Sequence, residues 1–131
     1  MALQVSLVTP DREVWEGPAA EVVARGTEGE VGILSGHAPM LIRLAIGVLR
    51  IKTEEGAWRS AVVDGGFLHV TSAEGTTRVD VLATHAEMAD QIDRRAAEAR
   101  VEEMKARLAK TEDVGARAEL AKALARLDAA D

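Results

Sequence analysis

The sequence predicts an α+β fold: an N-terminal antiparallel β-sandwich over residues 1–84, then a C-terminal antiparallel helical hairpin over residues 85–131. Three observations carry this expectation. From Leu3 to about Ala83 apolar and polar residues alternate with period two, and turn residues recur every roughly 8–12 positions, as in antiparallel sheets. Beyond that point Ala, Glu, Arg, Lys and Leu dominate, and these are strong helix formers. Between the two lies Thr84-His85-Ala86-Glu87, a capping-box pattern in which Thr and Glu satisfy each other's orphan amides, and it places the boundary.

In the first half, Leu3, Val5 and Leu7 alternate with Gln4 and Ser6, and Thr9-Pro10-Asp11-Arg12 reads as a turn. The same grammar predicts strands over Glu21–Arg25, Leu41–Ile46, Val48–Thr53, Trp58–Val63, Phe67–Thr71 and Thr77–Leu82. Thr27–Glu30, Glu54–Gly56, Asp64–Gly66 and Ala73–Gly75 separate them as turns. In the second half, Ala97, Val101, Met104 and Leu108 recur at helical spacing, which predicts one helix from about Ala86 to Lys110. Thr111–Gly115 breaks it, Asp113 is placed to cap a second helix, and Leu120, Leu124 and Leu127 form that helix's apolar stripe. Alanine supplies much of the apolar face, and burying it gains far less than burying leucine. The hairpin is therefore expected to rest on few large contacts and to leave the sandwich at modest cost.

Composition narrows the function. At 131 residues the chain is one compact domain or a small domain with an appendage, able to bury about two thirds of its unfolded surface. Aromatics are 2% of the residues (Trp15, Trp58 and Phe67), so base stacking is not on offer, and the formal charge of −6 argues against a nucleic-acid or anionic-membrane surface. There is no cysteine, which excludes disulfides and thiolate metal sites. The opening MALQVSLVTPDREV starts on a strand pattern and not on a signal peptide, and no apolar run is long enough to span a bilayer.

Local catalytic patterns are thin. His37, His69 and His85 are dispersed and lack metal-ligand spacing. Gly26, Gly29, Gly32 and Gly36 lack the lysine of a phosphate-binding loop. Ser35 and His37 could be nucleophile and base, but no nucleophile elbow surrounds them, and Glu28 with Glu30 reads as a solvated turn. What remains is the stretch GILSGHAPM, residues 32–40, whose bare aliphatics among glycines and Pro39 suggest a docking loop, with packing into the core the equally supported alternative.

Four segments together resemble one family: LVTPDREVWEG, TEGEVGILSGHAPML, VVDGGFLHV and AELAKALARL. The chain resembles the epsilon subunit of bacterial and chloroplast F-type ATP synthases, whose mitochondrial counterpart is called delta. Ser35 stands where that family usually has proline, and His69 where it often has glutamate. The resemblance implies a β-sandwich of about ten strands with a helical hairpin, in a non-catalytic subunit of the rotating central stalk. It implies a place at the cytoplasmic face of a bacterial cell membrane, held peripherally, in a motor that couples proton flow to ATP synthesis. The implied partners are the gamma subunit and the ring of c subunits, met through Glu30, Ile33, Leu34, Ser35, Gly36, His37, Ala38, Pro39 and Met40. When the hairpin extends, the implied partner is the beta subunit, with Arg107, Lys110, Arg117, Lys122 and Arg126 as candidate contacts, and ATP hydrolysis is then inhibited.

Some members bind a regulatory ATP through a motif of the form [IL]-D-x-x-R-A, with further contacts that fall here on Glu87 and Arg126. Ile92-Asp93-Arg94-Arg95-Ala96-Ala97 keeps the motif's Ile, Asp and final Ala, but Ala96 stands in place of its arginine. Losing one charge-assisted phosphate contact costs about 1.5–3 kcal/mol, so regulatory ATP binding is expected to be weak or absent, and no other cofactor is implied. The competing expectation is a free-standing sandwich acting as an adaptor or ligand-binding module, with the hairpin as a dimerisation arm.

Overall fold

A computed structural model describes residues 3–130. Eight strands precede two helices: β1 (Leu3–Val8), β2 (Glu13–Ala19), β3 (Glu21–Gly26), β4 (Gly29–Leu34), β5 (Met40–Lys52), β6 (Trp58–Ala73), β7 (Thr76–Ala83) and β8 (Ala86–Met88). A 3-10 turn, Ala89–Gln91, leads to α1 (Arg94–Lys110) and α2 (Val114–Ala130). The sheet runs β2-β1-β7-β6-β5-β3-β4, and β8 pairs with the first half of β6. The β1–β7 pairing is parallel and the other pairings are antiparallel, so the sandwich contains one parallel seam.

Two strands are much longer than expected. The runs separated in sequence at Gly47 fuse into β5, and those separated at Asp64-Gly65-Gly66 fuse into β6. Asp64–Gly66 is therefore a bend inside a strand and not a turn between two. Gly66 makes it possible: its φ is +126°, and a Cβ there would lie 2.1 Å from the Leu82 carbonyl oxygen of β7. The unexpected strands β2 and β4 sit at the two edges of the sheet, where Pro18 and the glycines of β4 are tolerated because one side needs no ladder partner.

Alternation decides which face is buried. Leu3, Val5 and Leu7 of β1, Val79 and Val81 of β7, and Leu68 and Val70 of β6 enclose the main core with Val22, Ala24, Leu49 and Ile51. Val48 and Val62, directly paired across β5 and β6, point the other way and form a second, small cluster with Ala129, Ile92 and Ala125. That cluster is where the hairpin lies. Helix α2 packs on β5 and β6, and α1 packs on α2.

The first helix begins at Arg94 and not near Ala86. Ala86 and Met88 are buried in the sandwich core, and their strand pairs with Ala61–Val63, so tertiary burial overrides the capping pattern and carries the sheet past residue 84. Asp93 is the cap instead, its carboxylate accepting from the Ala96 amide at 3.0 Å. Asp113 caps α2 as expected, accepting from the Ala116 amide at 3.0 Å. The buried face of α1 is the expected Ala97, Val101 and Met104, but that of α2 is Ala116, Ala123 and Ala129, while Leu124 is exposed. Small side chains let the backbones approach closely, and the leucines are displaced toward the rim.

Candidate functional site

Half of the expected docking loop is strand. Gly29–Leu34 pairs with β3, and only residues 35–39 are irregular. Alternation along β4 buries Ile33 completely and leaves Leu34 57% exposed, so Ile33 supports the loop from beneath and has no surface to offer a partner. Glu30, Gly36, Ala38 and Pro39 are exposed, and Ser35, His37 and Met40 are half-buried, Met40 packing against the main core.

The loop is pinned by hydrogen bonds. The His37 amide donates to the Leu34 carbonyl at 3.1 Å, closing the turn. The Gly36 amide donates to Thr77 Oγ1 at 2.8 Å, and Thr77 is 2% exposed at the start of β7. Gly36 adopts φ +87°, a value that suits glycine and turns this amide inward. His37 Nδ1 lies 2.8 Å from the Ala38 carbonyl oxygen, which holds the ring against its own loop and not against Ser35. Beside the loop, Glu30 lines an open bowl of about 430 Å³ with Thr27, Glu28, Leu41 and Arg43, and Leu41 is largely exposed. The result is a rim of pinned backbone that carries Glu28, Glu30 and Arg43 beside exposed Leu34 and Leu41. Thr77 was not foreseen, since one threonine in an alternating strand gives no signal of a partner far away in sequence.

The second place of interest is a cleft of about 310 Å³ between the helices and the end of the sheet. It brings together Glu87, Asp93 and Arg126, which the family resemblance grouped, and adds Arg100 and Glu119, which it did not. Ile92 belongs elsewhere, packing on Val48 and Val62. Glu87 caps no helix: it lies in β8 and accepts from Arg126 Nε at 3.2 Å. Arg126 Nη2 also reaches Asp64 Oδ2 at 3.8 Å. Arg100 is engaged by Glu103 at 2.6 Å and Glu119 at 3.5 Å, and the Glu103 hydrogen bond, against a smaller desolvation effect, holds its guanidinium still more firmly protonated. Three carboxylates line the cleft against two guanidiniums that are already paired, and Ala96 contributes only a methyl. These residues do not fit a polyphosphate.

The basic residues of the hairpin divide. Arg107 and Lys110 lie exposed in the last turn of α1, where positive charge suits the helix dipole. Arg117 pairs with Glu112, Lys122 lies 3.5 Å from Glu119, and Arg126 faces the sheet. Among the described residues no helix is long and apolar enough to cross a membrane, and no three His, Asp or Glu side chains group as metal ligands.

Comparison with known proteins agrees with this architecture. The family model for the ATP synthase delta/epsilon chain β-sandwich domain matches residues 2–89, ending just past β8. The chloroplastic ATP synthase epsilon chain of Guillardia theta is 39% identical over 133 aligned positions, covering 98% of each chain. The ATP synthase epsilon chain of Synechococcus sp. (strain JA-2-3B'a(2-13)) is 43% identical over 79% of this chain and 72% of its own. A chain in the cryo-EM structure of the Euglena gracilis mitochondrial ATP synthase (OSCP/F1/c-ring, rotational state 1) superposes with a TM-score of 0.78 at 29% identity, over 97% of this chain and 78% of that one. The sandwich, the appended hairpin and a relative matched from end to end leave one assignment: the chain belongs to the ATP synthase delta/epsilon family, on its epsilon side.

Proposed function

We propose that this subunit, which is non-catalytic itself, works as a rotor part of the central stalk and that its two halves divide the labour. The sandwich binds the gamma subunit and rests on the c-ring, passing on the torque of proton flow. The rim formed by Glu30, Leu34, Gly36, His37, Ala38, Pro39 and Met40 is the contact. A torque-bearing contact must not yield, and the Gly36–Thr77 hydrogen bond fastens this rim to the middle of the sheet. The hairpin extends toward the catalytic head and blocks hydrolysis, with Arg107, Lys110, Arg117, Lys122 and, once released from the sheet, Arg126 meeting the beta subunit.

The observation that carries the division is the seam between the halves. Two valines, two alanines and Ile92 make its apolar contact, while the sandwich core closes without any residue of the hairpin. Truncation tests it, and the cut belongs after Met88, because Ala86 and Met88 are core residues of the sheet. A chain ending at Met88 should still co-migrate with purified gamma and should raise ATP hydrolysis by the reconstituted complex. Hydrolysis equal to that with the full chain would remove the inhibitory role, and loss of co-migration by the full chain would remove the rotor role.

A further inference from the structure

Resting on that rotor reading for what release of the hairpin means, we infer that Arg126 is an internal latch that holds the hairpin down through two carboxylates of the sheet, Glu87 and Asp64. Asp64 is the telling residue. Its side chain is 7% exposed, and Oδ1 is buried without a hydrogen-bond partner. A carboxylate buried with so few donors is expensive unless a cation stands beside it. The cation that faces it is Arg126, at 3.8 Å from Oδ2. Asp64 lies two residues beyond Val62, on the strand face that α2 covers, so docking takes its carboxylate out of water, and Arg126 is the charge that arrives with α2 to offset that loss. Without the guanidinium the docked arrangement would hold an uncompensated buried charge, whereas the undocked one returns Asp64 to water, so docking depends on Arg126.

Glu87 completes the device. It is paired with Ala61–Val63 through β8, so Arg126 bridges β6, β8 and α2 at one point. Arg126 itself is 25% exposed, which keeps its pairs less screened than those on the open surface. A further ion pair across the seam, Arg50–Asp128 at 3.6 Å, is largely exposed and adds little. The remaining charges around the cleft are Asp93, which caps α1, and Arg100 with Glu103 and Glu119, which are paired among themselves, while Lys122 lies one turn before Arg126 beside Glu119. Arg126 is therefore committed to the sheet, and the latch needs no bound nucleotide to close.

The chain has no cysteine, so a spin-label pair can be placed cleanly. Glu54→Cys in the β5–β6 turn and Val114→Cys at the hairpin tip are both exposed. Double electron–electron resonance on the labelled full chain should give one narrow distance distribution, unchanged by millimolar magnesium ATP. Arg126→Glu should broaden it, raising the undocked fraction about tenfold or more. The charge exchange Arg126→Glu with Glu87→Arg, made together with Asp64→Asn so that the moved carboxylate does not face a second one, should restore the narrow peak, and circular dichroism of each variant shows whether the sheet is intact. A narrow distribution in Arg126→Glu, a charge exchange as broad as the single variant, or a parent chain that narrows only with ATP would each overturn the latch. Failure of the full chain to bind gamma would count against the rotor reading and leave the latch standing.

Discussion

Replacing Gly66 by alanine tests the central feature of the sandwich, the bend that lets β6 run on through Asp64–Gly66. The φ of +126° lies where an L-residue is strained by about 1–3 kcal/mol. Space makes matters worse. The new methyl would sit 2.1 Å from the Leu82 oxygen, 2.9 Å from Ala83 Cα and 3.0 Å from the Leu82 carbonyl carbon, all backbone atoms of β7. Ordinary C···O contacts are about 3.3 Å or more, so β7 must retreat by roughly 1 Å. That retreat loosens the pairing of Gly66 with Ala83 and of Phe67 with Leu82, and each ladder hydrogen bond lost costs about 1 kcal/mol. The whole change comes to about 2–5 kcal/mol, a fall in Tm of roughly 8–20 °C for a chain of this size. Thermal unfolding followed by circular dichroism measures it, with Gly32→Ala as the control, because there the nearest heavy atom is Glu21 Oε2 at 3.9 Å. Gly32→Ala should change stability by less than about 1 kcal/mol. If the two variants melt together, the bend does not depend on Gly66 and the account of β6 is wrong.

Thr77→Val removes the acceptor for the Gly36 amide while keeping the shape of the side chain. It should cost about 1–2 kcal/mol and speed hydrogen exchange at Gly36 about tenfold, and unchanged exchange would show that the loop is not pinned there. In the hairpin, Ala123→Leu should overpack the buried face of α2 and cost about 1–3 kcal/mol. Leu124→Lys, by contrast, should stay within about 0.5 kcal/mol, and denaturant titration giving the reverse order would restore the leucine stripe. A Glu16 hydrogen bond, with that residue's charge, holds the Glu13 carboxyl above its usual range. The folded state therefore binds this proton more tightly: the contribution is full below the unfolded pKa and is lost as pH rises through the raised value. In an NMR titration Glu16→Gln should bring Glu13 back to the ordinary glutamate range, and a Glu13 that does not move would exclude the pair as cause.

Much of this architecture is legible in the sequence because period-two burial is a local signal. Thr77, Val79, Val81 and Ala83 alternate along β7 as they read. Legibility fails where a neighbour supplies what the local pattern lacks. The run at residues 84–87 has the chemistry of a helix start, yet Ala86 and Met88 gain more by filling the core beside Ala61 and Val63. The strands β2 and β4 carry glycine and proline, and only their edge positions make that acceptable. At the candidate site, Glu87, Asp93 and Arg126 could be grouped through the family resemblance, but Asp64, at the bend of β6, could not. Its burial follows from the hairpin lying over a strand that the sequence divides in two.

The seam between sheet and hairpin explains why a rotor subunit would be built from alanine-rich helices. Full burial of a valine contributes about 1.5–3 kcal/mol, so Val48 and Val62 with the small side chains of α2 give a docking energy of only several kcal/mol before ordering costs are subtracted. A partner surface can reverse a preference of that size, because an equilibrium moves by the difference in affinity for the two states and by no more. A leucine in place of the half-buried Ala125 would deepen the contact and hold the arm down beyond the reach of such a partner. Alanine keeps the apolar term small, and the position of the arm is then decided by the few charges that meet across the seam, Arg126 with Glu87 and Asp64 foremost. Substituting Ala125→Leu should therefore oppose release even when Arg126 is lost: the double variant with Arg126→Glu should show a narrower label distribution than Arg126→Glu alone. A double variant as broad as the single one would mean that packing at Val48 and Val62 has no share in docking.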